Sequence, residues 1–138
     1  MSRRPKTTIL VSIETHLGAI TFELYPDAAP ITVSNFLHYV DAGLYDAGMF
    51  HRTVTMENQP ANDVKIEVIQ GGVDPNRVDE LGSPIPLERT TETGLTHIDG
   101  AISMARSEPD SARGDFFICI GDQPELDYGG RRNSDGQG

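Results

Sequence analysis

The sequence has no tryptophan and a single cysteine, Cys119. One cysteine cannot close an internal disulfide, so nothing points to an oxidising compartment. Basic residues are scarce: 11 Lys and Arg stand against 21 Asp and Glu, a formal charge of −10. A phosphate backbone or an anionic bilayer is repelled by that balance, which argues against nucleic acid and membrane as partners. The acidic residues are scattered, so they read as a solvated surface rather than an acidic tail. No apolar run approaches a membrane span. The segment Thr7–Ile13, behind the basic start Arg3-Arg4-Pro5-Lys6, is broken by Ser12 and too polar for a signal-peptide core. A cytoplasmic protein is expected. The histidines at 16, 38, 51 and 97 lack ligand spacing, so no metal is expected. Gly71-Gly72 lacks the spacing and lysine of a phosphate loop. Ser103 and Ser107 have no evident His/Asp partners for a nucleophilic triad. No cofactor is called for.

What is present is a single-domain length, 138 residues, with 14 glycines and 9 prolines, which suits a strand-rich fold with many turns. Ile9, Val11 and Ile13 alternate with Leu10, Ser12 and Glu14, and Ile20, Phe22 and Leu24 alternate with Thr21 and Glu23. That pattern predicts a hairpin turning near His16 to Gly18. After Pro30, the apolar residues Val33, Phe36, Leu37 and Val40 recur at helical spacing, with Gly43 as the stop. Strands are expected over 49–54, 64–70, 101–105 and 116–120, with a polar loop over 57–63. Residues 73–99 read as a long excursion with one short strand near Ile85-Pro86-Leu87. The last ten residues read as a loop.

Four phrases carry few polar residues in apolar settings: Phe50-His51-Arg52, Ile69-Gln70-Gly71-Gly72, Ile102-Ser103-Met104-Ala105 and Asp115-Phe116-Phe117-Ile118-Cys119. In this order and spacing they resemble the core of a cyclophilin, a peptidyl-prolyl cis-trans isomerase. The likeness runs from about residue 8 to residue 127. It implies an all-β fold, an antiparallel β-barrel with capping helices, and a groove on one sheet that takes an X-Pro segment. It also implies further strands and a C-terminal helix beyond Leu126. These are absent here, so the expected single domain, 1–138, is a barrel incomplete at its C-terminus, with completion by a second copy worth checking.

The chemistry follows from the amide itself. Rotation about an X-Pro bond meets a barrier of roughly 18–20 kcal/mol from resonance. In the twisted state the prolyl nitrogen becomes pyramidal and can accept a hydrogen bond. A fixed cation that binds this state better than either planar one lowers the barrier, with no nucleophile or metal. Arginine suits the task because its charge is permanent and its donors are planar. The resemblance makes Arg52 the catalytic residue and gives substrate-binding positions to Val68, Gln70, Ala105, Arg106, Asp115, Phe117 and Leu126. Gln70 would hold the substrate backbone, while Phe117 and Val68 would hold the proline ring. Period-two alternation sends His51 to the opposite face from Arg52. It likewise sends Phe116, Ile118 and Ile120 into the barrel, away from Asp115, Phe117 and Cys119.

Departures from the family pattern are expected to matter. Arg52 and Gln70 stand 18 positions apart because of the polar loop from Met56 to Asp63, an insertion beside the groove. Glu67 stands where the family has a pocket phenylalanine. Arg106 replaces an asparagine, and Asp115, which replaces a glutamine, is expected to pair with Arg52. Glu125 replaces a tryptophan, so weak cyclosporin binding is expected. Two readings stay open: an isomerase acting on X-Pro bonds of unfolded or partly folded proteins, and a catalytically weak module that binds proline-containing peptides.

Overall fold

A computed structural model describes residues 8–60 and 62–138. Strands β1, Ile9–Thr15, and β2, Gly18–Leu24, pair antiparallel without a bulge, from Ile9 opposite Leu24 to Thr15 opposite Gly18. Thr15 closes the turn. Its Oγ1 donates to the Gly18 carbonyl at 2.7 Å and accepts from the Leu17 amide at 3.2 Å. The predicted alternation holds: Ile9, Val11 and Ile13 face the core and Leu10, Ser12 and Glu14 face solvent.

Helix α1 spans Pro30–Asp41. Proline suits its first turn, where an amide would have no helical partner. No side chain of the preceding residue caps it. Glu88 does so from a distant loop, accepting from the Thr32 amide at 2.5 Å and the Ile31 amide at 3.3 Å, a favourable place for a carboxylate. At the other end Leu44 donates to the Tyr39 carbonyl and Gly43 to that of Val40, each at 3.0 Å. Gly43 takes φ +73°, so the predicted stop is a left-handed glycine closing the helix. The buried face is Val33, Phe36 and Tyr39, with Leu37 and Val40 beside it.

The larger sheet holds β3, Met49–Val54; β4, Val68–Gly72; β5, Ile102–Met104; and β6, Phe116–Cys119. The order is β3-β4-β6-β5, with antiparallel neighbours. The expected strand over 64–70 is displaced: β4 begins at Val68 and takes in both glycines. Gln59 explains the late start. This buried side chain donates to the Ile66 carbonyl and accepts from the Ile66 amide, occupying groups that a ladder would need. Gly72 has its own reason, since a Cβ there would run into the Asp115 carboxylate.

Between β4 and β5 lie a 3-10 turn, Pro75–Glu80, and the one-turn helix α2, Thr90–Thr93. The strand expected near residues 85–87 is a single bridge from Ile85 to Ala112. Phe22, Leu24, Val33, Phe36, Phe116 and Ile118 form the main core. Phe116 sits at its centre, edge-to-face with Phe22, Phe36, Tyr45 and Phe50 at centroid distances of 5.7–6.3 Å. A second cluster of Val54, Ile66, Val68, Cys119 and Leu126 packs with Phe117 and Ala101. Ile120 departs from the expected alternation and is 48% exposed. β6 ends at Cys119, and the chain turns at Gly121, φ +76°. The architecture is the expected mainly-β class, two antiparallel sheets with one substantial helix. Among the described residues the hairpin and the four-stranded sheet remain separate ladders. No helix among these residues is long and apolar enough to cross a membrane.

Candidate active site

One row of cross-strand partners organises the outer face of the larger sheet. Arg52 stands opposite Gln70, Gln70 opposite Phe117, and Phe117 opposite Ser103. Direct partners project to the same face, so four strands deliver four side chains in line. A cleft of about 260 Å³ lies over this row. It is lined by Arg52, Val68, Gln70, Ala105, Arg106, Phe117 and Leu126. The structure thus brings together every site residue expected from the sequence except Asp115. Leu126 is both a core residue and a wall of the cleft. Glu67 is not part of the lining, and the buried Ile66 is.

Asp115 lies behind the row. It accepts from Gln70 Nε2 at 3.3 Å and stands 3.6 Å from His51 Nε2. The expected Asp115–Arg52 ion pair does not form within 4 Å. The register between β3 and β4 shifts between Phe50 and Arg52, which interrupts the alternation. His51 is thereby brought to Asp115 instead of being carried to the opposite face. Gln70 is fixed by this carboxylate. Tyr45 lies nearby, its hydroxyl donating to the Gly114 carbonyl at 2.7 Å. Burial first, and the Asp115 charge second, push the Tyr45 phenol far above its usual range.

Beside Phe117, with His97 and Ser103 lining the same cleft, runs a chain of hydrogen bonds that the sequence did not disclose. Asp127 Oδ1 accepts from the His97 backbone amide at 2.8 Å and lies 2.7 Å from His97 Nδ1. His97 Nε2 lies 2.9 Å from Ser103 Oγ. With Nδ1 donating to Asp127, Nε2 accepts from the serine hydroxyl. The His97 ring lies flat against Phe117, with centroids 5.8 Å apart and 13° between planes. Ser103 therefore has both partners it lacked in the sequence. Because the ring is committed to the stack, we read the three as a brace for Phe117.

The last residues also reach the cleft. The Arg106 side chain, 5% exposed, grips both Asp135 oxygens at 2.9 Å and also donates to the Gly138 carbonyl. That grip, with a backbone amide, holds the Asp135 carboxyl down at about 2. Arg89 donates to Gln137 Oε1. Arg132 Nη1 donates to Gln59 Oε1 at 2.6 Å and to the Val64 carbonyl at 2.8 Å, tying the inserted loop to the end of the chain. Cys119 is 1% exposed, and burial pushes its thiol up to about 12. This is a packed thiol rather than a reactive one. Among the described residues no group of three His, Cys, Asp or Glu could hold a metal ion. The row can therefore offer a permanent cation, an amide and an aromatic floor.

A row of that kind on an antiparallel sheet defines a class of fold and site, and comparison with known proteins names it. The family model described as cyclophilin type peptidyl-prolyl cis-trans isomerase/CLD matches residues 10–132. The chain belongs to that family. It is 35% identical over 126 residues to peptidyl-prolyl cis-trans isomerase A of Dickeya dadantii, covering 91% of this chain and 61% of that protein. It is also 35% identical over 114 residues to a peptidyl-prolyl cis-trans isomerase of Acinetobacter baylyi, covering 82% and 55%. The chain thus spans a little over half the length of these two relatives. Among solved structures, a Cryptosporidium parvum cyclophilin type peptidyl-prolyl cis-trans isomerase superposes with a TM-score of 0.70 at 26% identity, over 88% of this chain and 72% of that one. A second crystal structure of that protein, in the presence of the dipeptide Ala-Pro, gives a TM-score of 0.68 at 27% identity, over 86% and 72%.

Proposed function

We propose that this protein is a peptidyl-prolyl cis-trans isomerase that accelerates rotation about X-Pro bonds. The observation that carries the reading is the row Arg52, Gln70 and Phe117 across three strands of one cleft. In the mechanism we assign, the proline ring rests on Phe117 and Val68, and Gln70, steadied by Asp115, holds the substrate backbone. Arg52 then donates to the prolyl nitrogen as the amide twists, a bond the planar states cannot make. Ala105, Arg106 and Leu126 complete the walls. Substrates would be proline-containing peptides and chains in the course of folding. The proposed compartment is the cytoplasm, supported by a lone cysteine that cannot form an internal disulfide. Weak cyclosporin binding is proposed from Glu125, which here pairs with Arg131 at 3.3 Å.

One observation favours a second reading, a proline-segment-binding module with little turnover. Arg132, Asn133 and Gln137 share the cleft with the row. NMR exchange spectroscopy on an X-Pro peptide separates the two. Arg52→Ala should abolish accelerated exchange while leaving peptide shifts in place. Shifts without acceleration in the unaltered chain would establish the binding module.

A further inference from the structure

The cleft carries the opposite sign of charge to the rest of the molecule. Four of the chain's 11 basic residues line it, Arg52, Arg89, Arg106 and Arg132, on a protein of net charge −10. Glu88, which lines it, has its carboxylate committed to the amides at the start of α1, and the Gly138 main-chain oxygen, which also lines it, is taken by Arg106. Two of the arginines are neutralised, Arg106 by Asp135 and Arg89 by Glu92 at 3.3 Å. Arg52 and Arg132 have no carboxylate within 4 Å among the described residues.

Arg132 is also held in place. Its Nη1 is spent on Gln59 and Val64, and Gln59 is itself buried and tied to Thr55 and Ile66. Its Nε and Nη2 find no acceptor among the described residues. Partial burial, and then the charge of Arg52, lower its pKa, as expected of two like charges near one cleft. Two guanidinium groups lining one cleft, Arg132 held and Arg52 without a carboxylate partner, leave a place for an anion, which relieves their repulsion and takes planar donors.

We propose that Arg132, together with Arg52, forms an anion subsite that selects X-Pro segments carrying an aspartate or glutamate side chain within two residues of the proline. The proposal rests on the cleft being the substrate groove, not on turnover. It also runs against the global charge, since an acidic protein should otherwise disfavour acidic peptides.

The test uses the 138-residue chain and peptides with a single Glu on either flank of the proline, each matched to its Gln counterpart. Exchange rates and Kd are measured at low and high salt. The best Glu peptide should outperform its Gln counterpart about three- to tenfold, and the ratio should shrink with salt. In Arg132→Gln the ratio should fall toward one. It should persist in Arg132→Lys and in Arg131→Gln, which removes a neighbouring charge outside the cleft. Equal Glu and Gln peptides, or a ratio undiminished in Arg132→Gln, would overturn the proposal. If Arg132→Gln fails to fold, the salt dependence and Arg132→Lys decide. If no peptide exchanges faster, the isomerase reading fails, while the Kd ratios still judge the subsite.

Discussion

Phe116 and Phe117 are consecutive residues of β6 and live in different physical worlds. Phe116 is 3% exposed and meets four aromatic rings edge-on in a largely apolar core. Phe117 faces the cleft, and its support is a histidine ring held by a carboxylate and a hydroxyl. The inner face is held by apolar burial, which is non-directional and depends on area. The outer face is held by charge-assisted hydrogen bonds, which fix geometry as well as adding stability. A binding surface needs that second kind of order, because its ligand side must stay uncovered.

The sharpest way to break this comparison is to truncate both rings. Phe116→Ala should cost about 3–5 kcal/mol, as large aromatic deletions in cores do. Phe117→Ala should cost about 1–2 kcal/mol and remove peptide binding. Urea denaturation and peptide titration measure the two, and equal stability losses would erase the distinction. The next largest effect is on rate. Arg52→Ala should lower kcat/KM for an X-Pro peptide by about 10²- to 10³-fold, the span seen when one transition-state donor is lost. Its unfolding midpoint should stay close to that of the unaltered chain, since Arg52 is exposed and makes no ion pair. A matching loss of stability would make Arg52 structural.

The brace is predicted to have an intermediate effect. Asp127→Ala leaves His97 without its acceptor and should cost about 1–3 kcal/mol. It should also loosen Phe117, seen as a change in the ring-current shifts that His97 imposes on it. Smaller still is the release of the residues gripped by Arg106. Asp135 has a carboxyl lowered on folding to about 2, against an ordinary value of about 3.9. The contact is therefore at full strength above about pH 4 and is lost as pH falls toward about 2. The Arg106 Nη–H resonances, which donate to Asp135, should report that loss, and Asp135→Asn should show the released state at neutral pH.

The two faces also differed in how much of them the sequence disclosed. The family resemblance singled out Arg52, Gln70 and Phe117, and strand alternation separated Phe117 from Phe116 across the sheet. Alternation failed at His51, where a register shift overrides the period of two, and at residues 64–67, where the Gln59 side chain takes the place of a ladder. The brace was out of reach for a different reason. His97, Ser103 and Asp127 come from a loop, a strand and the end of a 3-10 turn, up to 30 positions apart. No periodicity links such segments. Arg132 was hidden in the same way, in what read as a terminal loop, and only the folded chain carries it back to Gln59 across 73 positions.

The span of the cleft has a consequence for the order in which the molecule is made. The hairpin and α1 close within the first third of the chain, from contacts local in sequence. The cleft recruits its first wall at Arg52 and is not enclosed until Arg132 has returned to the insertion loop. Closing such a long loop is slow compared with forming a hairpin. On a ribosome, the hairpin and α1 can therefore form while the binding surface still has gaps. Capture of a fluorescent proline peptide would then be a clock for the final stage of maturation, silent through every earlier step.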